Sequence, residues 1–419
     1  MSESTSMPKS TDTSQRMGKI LRALLTCQRS SWEQGVAAQA LLEWYLSPAE
    51  LRSRISRSEL LELMYGLAHD AIVRQAPDGR LAVCLNGTGS SDAGAVDPCA
   101  IGETGFCLLE AGLPEADQER FKAGIDKMLR YILEDCPRAP VSTAEAGPAE
   151  TSLLSHRIDA VEIWSDTVYM LPPFLAASAV YAIRTQQGSP TDRLSRVRLS
   201  LEQIVLASEV LQSPSGAWYH IYSLDKREFK RKVLWGVGNG WVCAGITRVL
   251  WIYARAMEDG KTEGEMGKIF EDATVTELAK QCNVILKKTL LACSEHMLPN
   301  GLFHDILDDT SSFIETNLSQ QLAYTLFRLL DLHAHTSPEL KRRIPLFELD
   351  EASAEDRKQK AETMYQAAVA KTDTWGFVRD VCGSPRFNAA GTAAEGQAFG
   401  LLQEIARAEY YFREAGQGR

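Results

Sequence analysis

The chain has few of the signals that announce a metal or nucleotide enzyme. Its seven histidines include no pair at the spacing of zinc ligands, so no metal site is expected. Nine cysteines, an odd number, are scattered without metal-type pairing, and Cys99, Cys107 and Cys243 fall inside apolar helical patterns where a thiol behaves as a small hydrophobe. Reduced thiols are therefore expected, with no disulfide framework. There is no P-loop and no G-x-S-x-G elbow, which leaves nucleotide and serine-nucleophile chemistry unsupported and no cofactor expected. Residues 1–15 are polar and lack the apolar stretch of a secretory signal, and no later run is long and apolar enough to cross a bilayer. These absences lead to an expectation of a cytoplasmic protein. Strand-like alternation is scarce as well.

What the chain does have is evenly spread apolar sequence, 45% of residues, as in one large folded unit. Lys and Arg number 45 against 55 Asp and Glu, a net charge of −10 that argues against a nucleic-acid groove and against an anionic membrane surface. The sequence does not indicate an oligomeric state. An anionic ligand would need a local cationic patch. Apolar spacing at the helical period predicts roughly twelve helices, near residues 16–27, 32–46, 58–74, 97–112, 115–134, 164–185, 193–209, 238–256, 265–290, 315–333, 354–370 and 392–414. The even-numbered ones are richer in Ala, Gly, Cys and aromatics and the odd ones in charge, as inner and outer rings would be. The expected organisation is a short disordered tail, 1–15, followed by one all-α domain, 16–419, whose helix pairs close into a ring. Three turn tripeptides, Pro77-Asp78-Gly79, Pro214-Ser215-Gly216 and Pro299-Asn300-Gly301, recur at the same phase of the pair cycle.

In such a ring the openings of the inner helices crowd one mouth. Those openings carry Trp32 with Gln34, Asp97, Trp164 with Asp166, Asn239 with Trp241, Glu315 with Asn317, and Thr392 with Glu395. Each acid has an ordinary alternative: Asp97 before Pro98, and Asp166 after Ser165, are both suited to capping a helix. Company favours chemistry, because Trp164 and Tyr169 flank Asp166, and aromatic rings both stack on sugars and raise a carboxyl pKa by desolvation. The run Trp235-Gly236-Val237-Gly238-Asn239-Gly240-Trp241 reads as a substrate wall, its glycines allowing close backbone approach and its indoles offering flat faces. His220 precedes it within one helix-pair connection, and Ser311, Ser312 and Glu315 resemble a capping box.

These segments carry a resemblance. Ile163-Trp164-Ser165-Asp166-Thr167, running into Met170 and Pro173-Phe174-Leu175, together with the Trp235 to Trp241 run, resembles glycoside hydrolase family 105, the unsaturated rhamnogalacturonyl and glucuronyl hydrolases, with family 88 more distant. Ser31-Trp32-Glu33-Gln34-Gly35 and the segment 391–399 extend the likeness over nearly the whole chain. The resemblance implies an (α/α)6 barrel of six helical hairpins, Asp166 as acid/base, Asp97 as the second pocket aspartate, and His220, Trp235 and Trp241 along the sugar site. It also implies a small oligosaccharide substrate, from whose non-reducing end a 4,5-unsaturated uronic acid is removed by hydration of its enol ether. One position departs: Val237 stands where the family commonly has arginine. Arg157, with His156 beside it, could supply the missing charge, ahead of Arg231, Lys232 and Arg386. A sugar epimerase or isomerase, or a non-catalytic carbohydrate-binding protein, on the same barrel are the alternative expectations.

Overall fold

The computed structural model describes residues 10–52, 55–83, 93–141, 152–344 and 351–416. Helix α1 (Ser10–Cys27) begins inside the segment expected to be a tail, while residues 1–9 lie outside the described residues. There follow α2 (Ser31–Leu46), α3 (Arg57–Val73), a 3-10 turn (Asp97–Ile101) running into α4 (Gly102–Glu110), α5 (Glu115–Arg130), the short α6 (Thr167–Met170), α7 (Pro172–Arg184) and α8 (Pro190–Leu211). The second half comprises α9 (Gly236–Glu258), α10 (Glu263–Phe270), α11 (Ala273–Glu295), α12 (Asn317–His335), α13 (Pro338–Arg343), α14 (Glu351–Ala370) and α15 (Ala394–Glu414). The expected helix 265–290 is two helices, because the Asp272 carboxylate accepts from Thr274 N and Val275 N and starts α11 afresh. Ser56 with Glu59, and Ser189 with Asp192, form reciprocal capping boxes that set the starts of α3 and α8.

The chain alternates between two rings. α2, α4, α7, α9, α12 and α15 each pack on the next, and α15 returns onto α2, so the inner ring closes as an (α/α)6 barrel. Each outer helix lies on the inner helix before it: α3 on α2, α5 on α4, α8 on α7, α11 on α9, α14 on α12, and α1 on α15. Inner helices are buried nearly all round, as in α2, where Trp32 and Leu46 alone escape full burial. One continuous apolar core runs from Met17 to Tyr410.

The recurring turns are the connectors of this plan. In each, the first residue's N–H and the glycine's N–H close the same pair of hydrogen bonds: Ala76 to Arg80, Ser213 to Ala217 and Leu298 to Leu302, with Gly79, Gly216 and Gly301 donating back to Ala76, Ser213 and Leu298. The glycines adopt φ of 103°, 98° and 83°, and a Cβ there would fall 2.6 to 2.7 Å from the carbonyl oxygens of Lys127, Lys288 and Thr363 on the following outer helices. A fourth copy, Asp373 to Phe377 with Gly376 at φ 95°, lies against Lys19 of α1. It lacks the proline that marks the other three.

Charge is buried at the barrel axis. Arg248 of α9 donates from Nε and Nη2 to Glu103 of α4 at 2.8 and 2.9 Å, and also bonds Glu43 of α2. Arg328 of α12 bonds the other Glu43 oxygen and Glu409 of α15, and Tyr324 OH donates to Glu43 at 2.6 Å. Burial alone would raise the Glu43 carboxyl, but the Arg328 and Arg248 charges outweigh it and hold it below its ordinary value. Five of the six inner helices are thus tied by one ion network.

Candidate functional site

The N-terminal mouth of the inner ring is roofed by short ribbons that the sequence did not announce. β1 (Arg138–Pro140) pairs with β2 (Ser152–Leu154), β6 (Phe303–His304) with β7 (Ile314–Glu315), and β8 (Val381–Gly383) with β9 (Arg386–Gly391). Most important is the antiparallel trio β3 (Glu162–Trp164), β4 (Ile221–Ser223) and β5 (Glu228–Arg231), with Trp164 opposite Ile221 and Ile221 opposite Arg231. Trp164 therefore ends a strand, whereas the expected helix 164–185 had it starting a helix.

Beneath these ribbons lies a cavity of about 360 Å³. It is lined by Trp32, Asp97, Arg157, Trp164, Asp166, His220, Trp235 and Trp241 from the expected set, and further by His156, Met170, Arg231, Val237, Cys382, Phe387 and Glu395. Asn239 is the exception. Its amide is wholly spent on backbone, accepting from Trp218 N at 2.7 Å and donating to Trp218 O and Trp235 O at 3.1 and 2.8 Å, so it is a strut behind the wall. Asn239→Ala is expected to cost about 2 to 3 kcal/mol of stability through stranded backbone groups, with kcat of the folded protein nearly unchanged; denaturation midpoints alongside kinetics check both. A larger cavity, about 430 Å³, opens at the opposite mouth, where Arg184 is already matched by Glu110 and Asp259.

Two acid and imidazole pairs face each other. His156 Nε2 stands 3.2 Å from Asp97 Oδ1, and its Nδ1 lies 3.0 Å from Thr167 Oγ1. His220 Nε2 stands 3.4 Å from Asp166 Oδ2, and its Nδ1 accepts from Arg231 Nη1 at 2.8 Å. Asp166 is the N-cap residue of α6 but makes no capping hydrogen bond, and the cap position of the 3-10 turn falls to Val96, with Asp97 its first residue. Rings run along the wall: His156 stacks on Trp164 (4.6 Å between centroids, 11°), Trp164 meets His220 edge-on, His220 lies 4.4 Å from Trp235, and Trp235 meets Phe387. Trp164 is oriented by Nε1 donating 2.9 Å to Glu162, and Trp235 by Nε1 donating 3.0 Å to Asp305. Trp241 sits below, against Tyr169 and Phe399.

The electrostatics correct one expectation. Burial pushes the Asp166 carboxyl up, but its interactions with His220 and His156 together push it further down, and it ends below its ordinary value. His156 loses by burial and gains more from Asp97 and Asp166, ending raised. Glu395, buried and bonded by Trp32 Nε1 at 2.5 Å, is pushed up to about 7, burial being the main cause. The glycines of the Trp235 run also serve differently than expected. A Cβ on Gly238 would collide with Ser165 Oγ and one on Gly240 with the Gln321 side chain, so they permit close packing of α9 against its neighbours.

Not every helix opening reaches the cavity. Gln34 donates to Asp70 of α3 at 2.8 Å. Glu315 is a cap, as expected in kind, but through its own carboxylate, which accepts from Asn317 N and Leu318 N at 2.7 Å and from Cys382 N at 3.1 Å. His156 and Arg231 are the lining residues that sequence ranked too low. Their importance comes from partners distant in the chain.

The family model described as Glycosyl Hydrolase Family 88 matches residues 5–342. The chain belongs to that family. Solved structures of similar fold include a possible member of the GH105 family from Salmonella enterica (15% identity, TM-score 0.67, 99% of this chain and 97% of that one). Another is a glycosyl hydrolase family 88 protein from Bacteroides vulgatus (12%, 0.62, 96% and 100%). The unsaturated glucuronyl hydrolase of Bacillus sp. GL1, responsible for degradation of glycosaminoglycan, also matches (12%, 0.55, 96% and 96%). A comparison with curated proteins finds no match. The (α/α)6 barrel of this family 88 chain is thus shared with both family 88 and GH105 structures, and the chain is a glycoside hydrolase. Among the described residues, no helix is long and apolar enough to cross a membrane.

Proposed function

We propose that this chain removes a 4,5-unsaturated uronic acid from the non-reducing end of short oligosaccharides, with Asp166 as acid and base. The observation that carries this is the pair of carboxylates, Asp97 and Asp166, each set against an imidazole in an aromatic-walled cavity of a family 88 barrel. Protonated Asp166 adds its proton to C4 of the enol ether, and cationic character develops at C5 and the ring oxygen. The resulting carboxylate then takes a proton from water as the water oxygen bonds to C5. The hemiketal so formed opens, expelling the next sugar as an alcohol and leaving Asp166 protonated again. Trp164, Trp235 and Trp32 offer faces for the sugar, and Asp97 raises the proton affinity of His156, whose ring bears on the acid. An epimerase or isomerase acting through converging histidines finds less support, since each cavity imidazole is already tied to an aspartate.

Incubation with lyase-generated disaccharides should remove the ultraviolet absorbance of the conjugated double bond. The pH profile tests the acid. Because the free Asp166 carboxyl lies below its ordinary value, its protonated fraction falls as pH rises, so kcat/KM should decline with pH across the neutral range. A bound uronate adds negative charge and excludes water, both of which raise the carboxyl, so the decline in kcat should sit at higher pH. A kcat/KM that climbs with pH from 5 to 8, on the order of tenfold per unit, would reject Asp166 as the acid.

A further inference from the structure

We propose that Arg231 is the carboxylate anchor of this cavity and that the same guanidinium holds His220 in the tautomer that turns its N–H toward Asp166. The identity of the anchored group as a uronate rests on the proposed function; the tautomer does not.

Among the described residues two guanidinium groups line the cavity, and they are differently committed. Arg157 grips Asp159 with both arms, Nε to Oδ1 at 2.8 Å and Nη2 to Oδ2 at 2.7 Å, so a carboxylate already balances its charge. Arg231 has no carboxylate within ion-pair reach among the described residues, and its one side-chain hydrogen bond there is the Nη1 contact with His220. It is held at the end of β5, with its guanidinium carbon 5.7 Å from the Trp235 ring centroid. The cavity otherwise presents Asp97, Asp166 and Glu395, and uncharged Val237 at the start of α9. An anionic sugar entering it meets Arg231 as the cation not yet neutralised by an acid. A guanidinium carries five N–H donors in one plane; with Nη1 on the imidazole, the Nε and Nη2 edge retains the fork that matches a carboxylate.

The second role follows from donor chemistry. Arginine only donates, so His220 Nδ1 must accept and its proton resides on Nε2, which points at Asp166 Oδ2 across 3.4 Å. Burial first, and Arg231 in addition, hold the His220 imidazole below its ordinary value against the pull of Asp166, consistent with a neutral ring. One side chain thereby couples ligand charge to the state of the acid's neighbour.

The test compares an unsaturated uronyl disaccharide with its methyl ester, whose neutral carbonyl cannot pair with a cation. Wild type should favour the acid, and Arg231→Met should lose roughly 100-fold more in kcat/KM on the acid than on the ester, the difference lying chiefly in KM, while any loss that follows from the released His220 ring falls on both sugars alike. Arg231→Lys, which keeps the charge, should retain most of the preference. Nitrogen NMR of His220 should show one Nε2–H tautomer in wild type and a mixed or protonated ring in Arg231→Met. Equal losses on acid and ester with an unchanged His220 spectrum would overturn the proposal, as would loss of the preference in Arg157→Ala. If wild type turned over neither sugar, the proposed function would fall; the His220 spectrum and titration with free glucuronate, wild type against Arg231→Met, would still decide the role of Arg231.

Discussion

Asp166→Asn should lower kcat by about 10²- to 10⁴-fold, the span a positioned general acid supplies, while the protein stays folded. The amide keeps the size and polarity of the carboxyl and its oxygen can still accept from Ser165 Oγ, as the carboxylate does at 3.1 Å, so the wall geometry has no reason to change. It cannot deliver a proton to carbon, nor take one from water. Binding should hold or tighten, since the substitution removes a negative charge that faces an anionic sugar. Because Asp166 makes no capping bond, no helix start is lost with it, which separates this test from a stability effect. Turnover within tenfold of wild type in a folded variant would remove Asp166 from the chemistry. In the proposed mechanism Asp97 acts at one remove: its carboxylate raises His156, and His156 in turn bears on Asp166.

The ring of hairpins was readable because inner and outer helices differ in composition over long stretches, and periodicity survives errors at the ends. Asp97, Asp166 and the tryptophans were readable because local context marked them. What escaped was set by contacts between distant segments. The direction of the Asp166 shift depends on His156 and His220, which flank it in space on separate ribbons; the neighbouring aromatics alone pointed the other way. Asn239 looked like a ligand group because it sits among tryptophans, yet its amide is claimed by the Trp218 backbone. The ribbons of three or four residues are too short for alternation to register, and they carry Trp164 and Arg231 to the cavity. The axial charges did leave a trace. Glu43 and Arg248 each interrupt an apolar run of an inner helix, and Arg328 sits in another with Asp331 one turn on, a pattern that buried partners explain.

That trace leads to the largest stability effect expected in the molecule. Arg248→Met should cost about 3 to 5 kcal/mol, because removing one member of a buried ion network strands the others. Glu103 would keep only the Gln39 amide, 3.2 Å from its Oε2, while Glu43 would retain Arg328 and Tyr324. The damage should therefore centre on Glu103, at the junction of α4 and α9, and Glu103→Gln added to Arg248→Met should recover a substantial part of the loss by removing the uncompensated charge. A simple cavity or packing defect would make the double variant no better than the single one. Denaturant midpoints of wild type, both single variants and the double variant form the cycle that decides this. Activity per folded molecule should change little, since the network lies at the barrel axis and none of Glu43, Arg248 or Arg328 lines the cavity that holds Asp166.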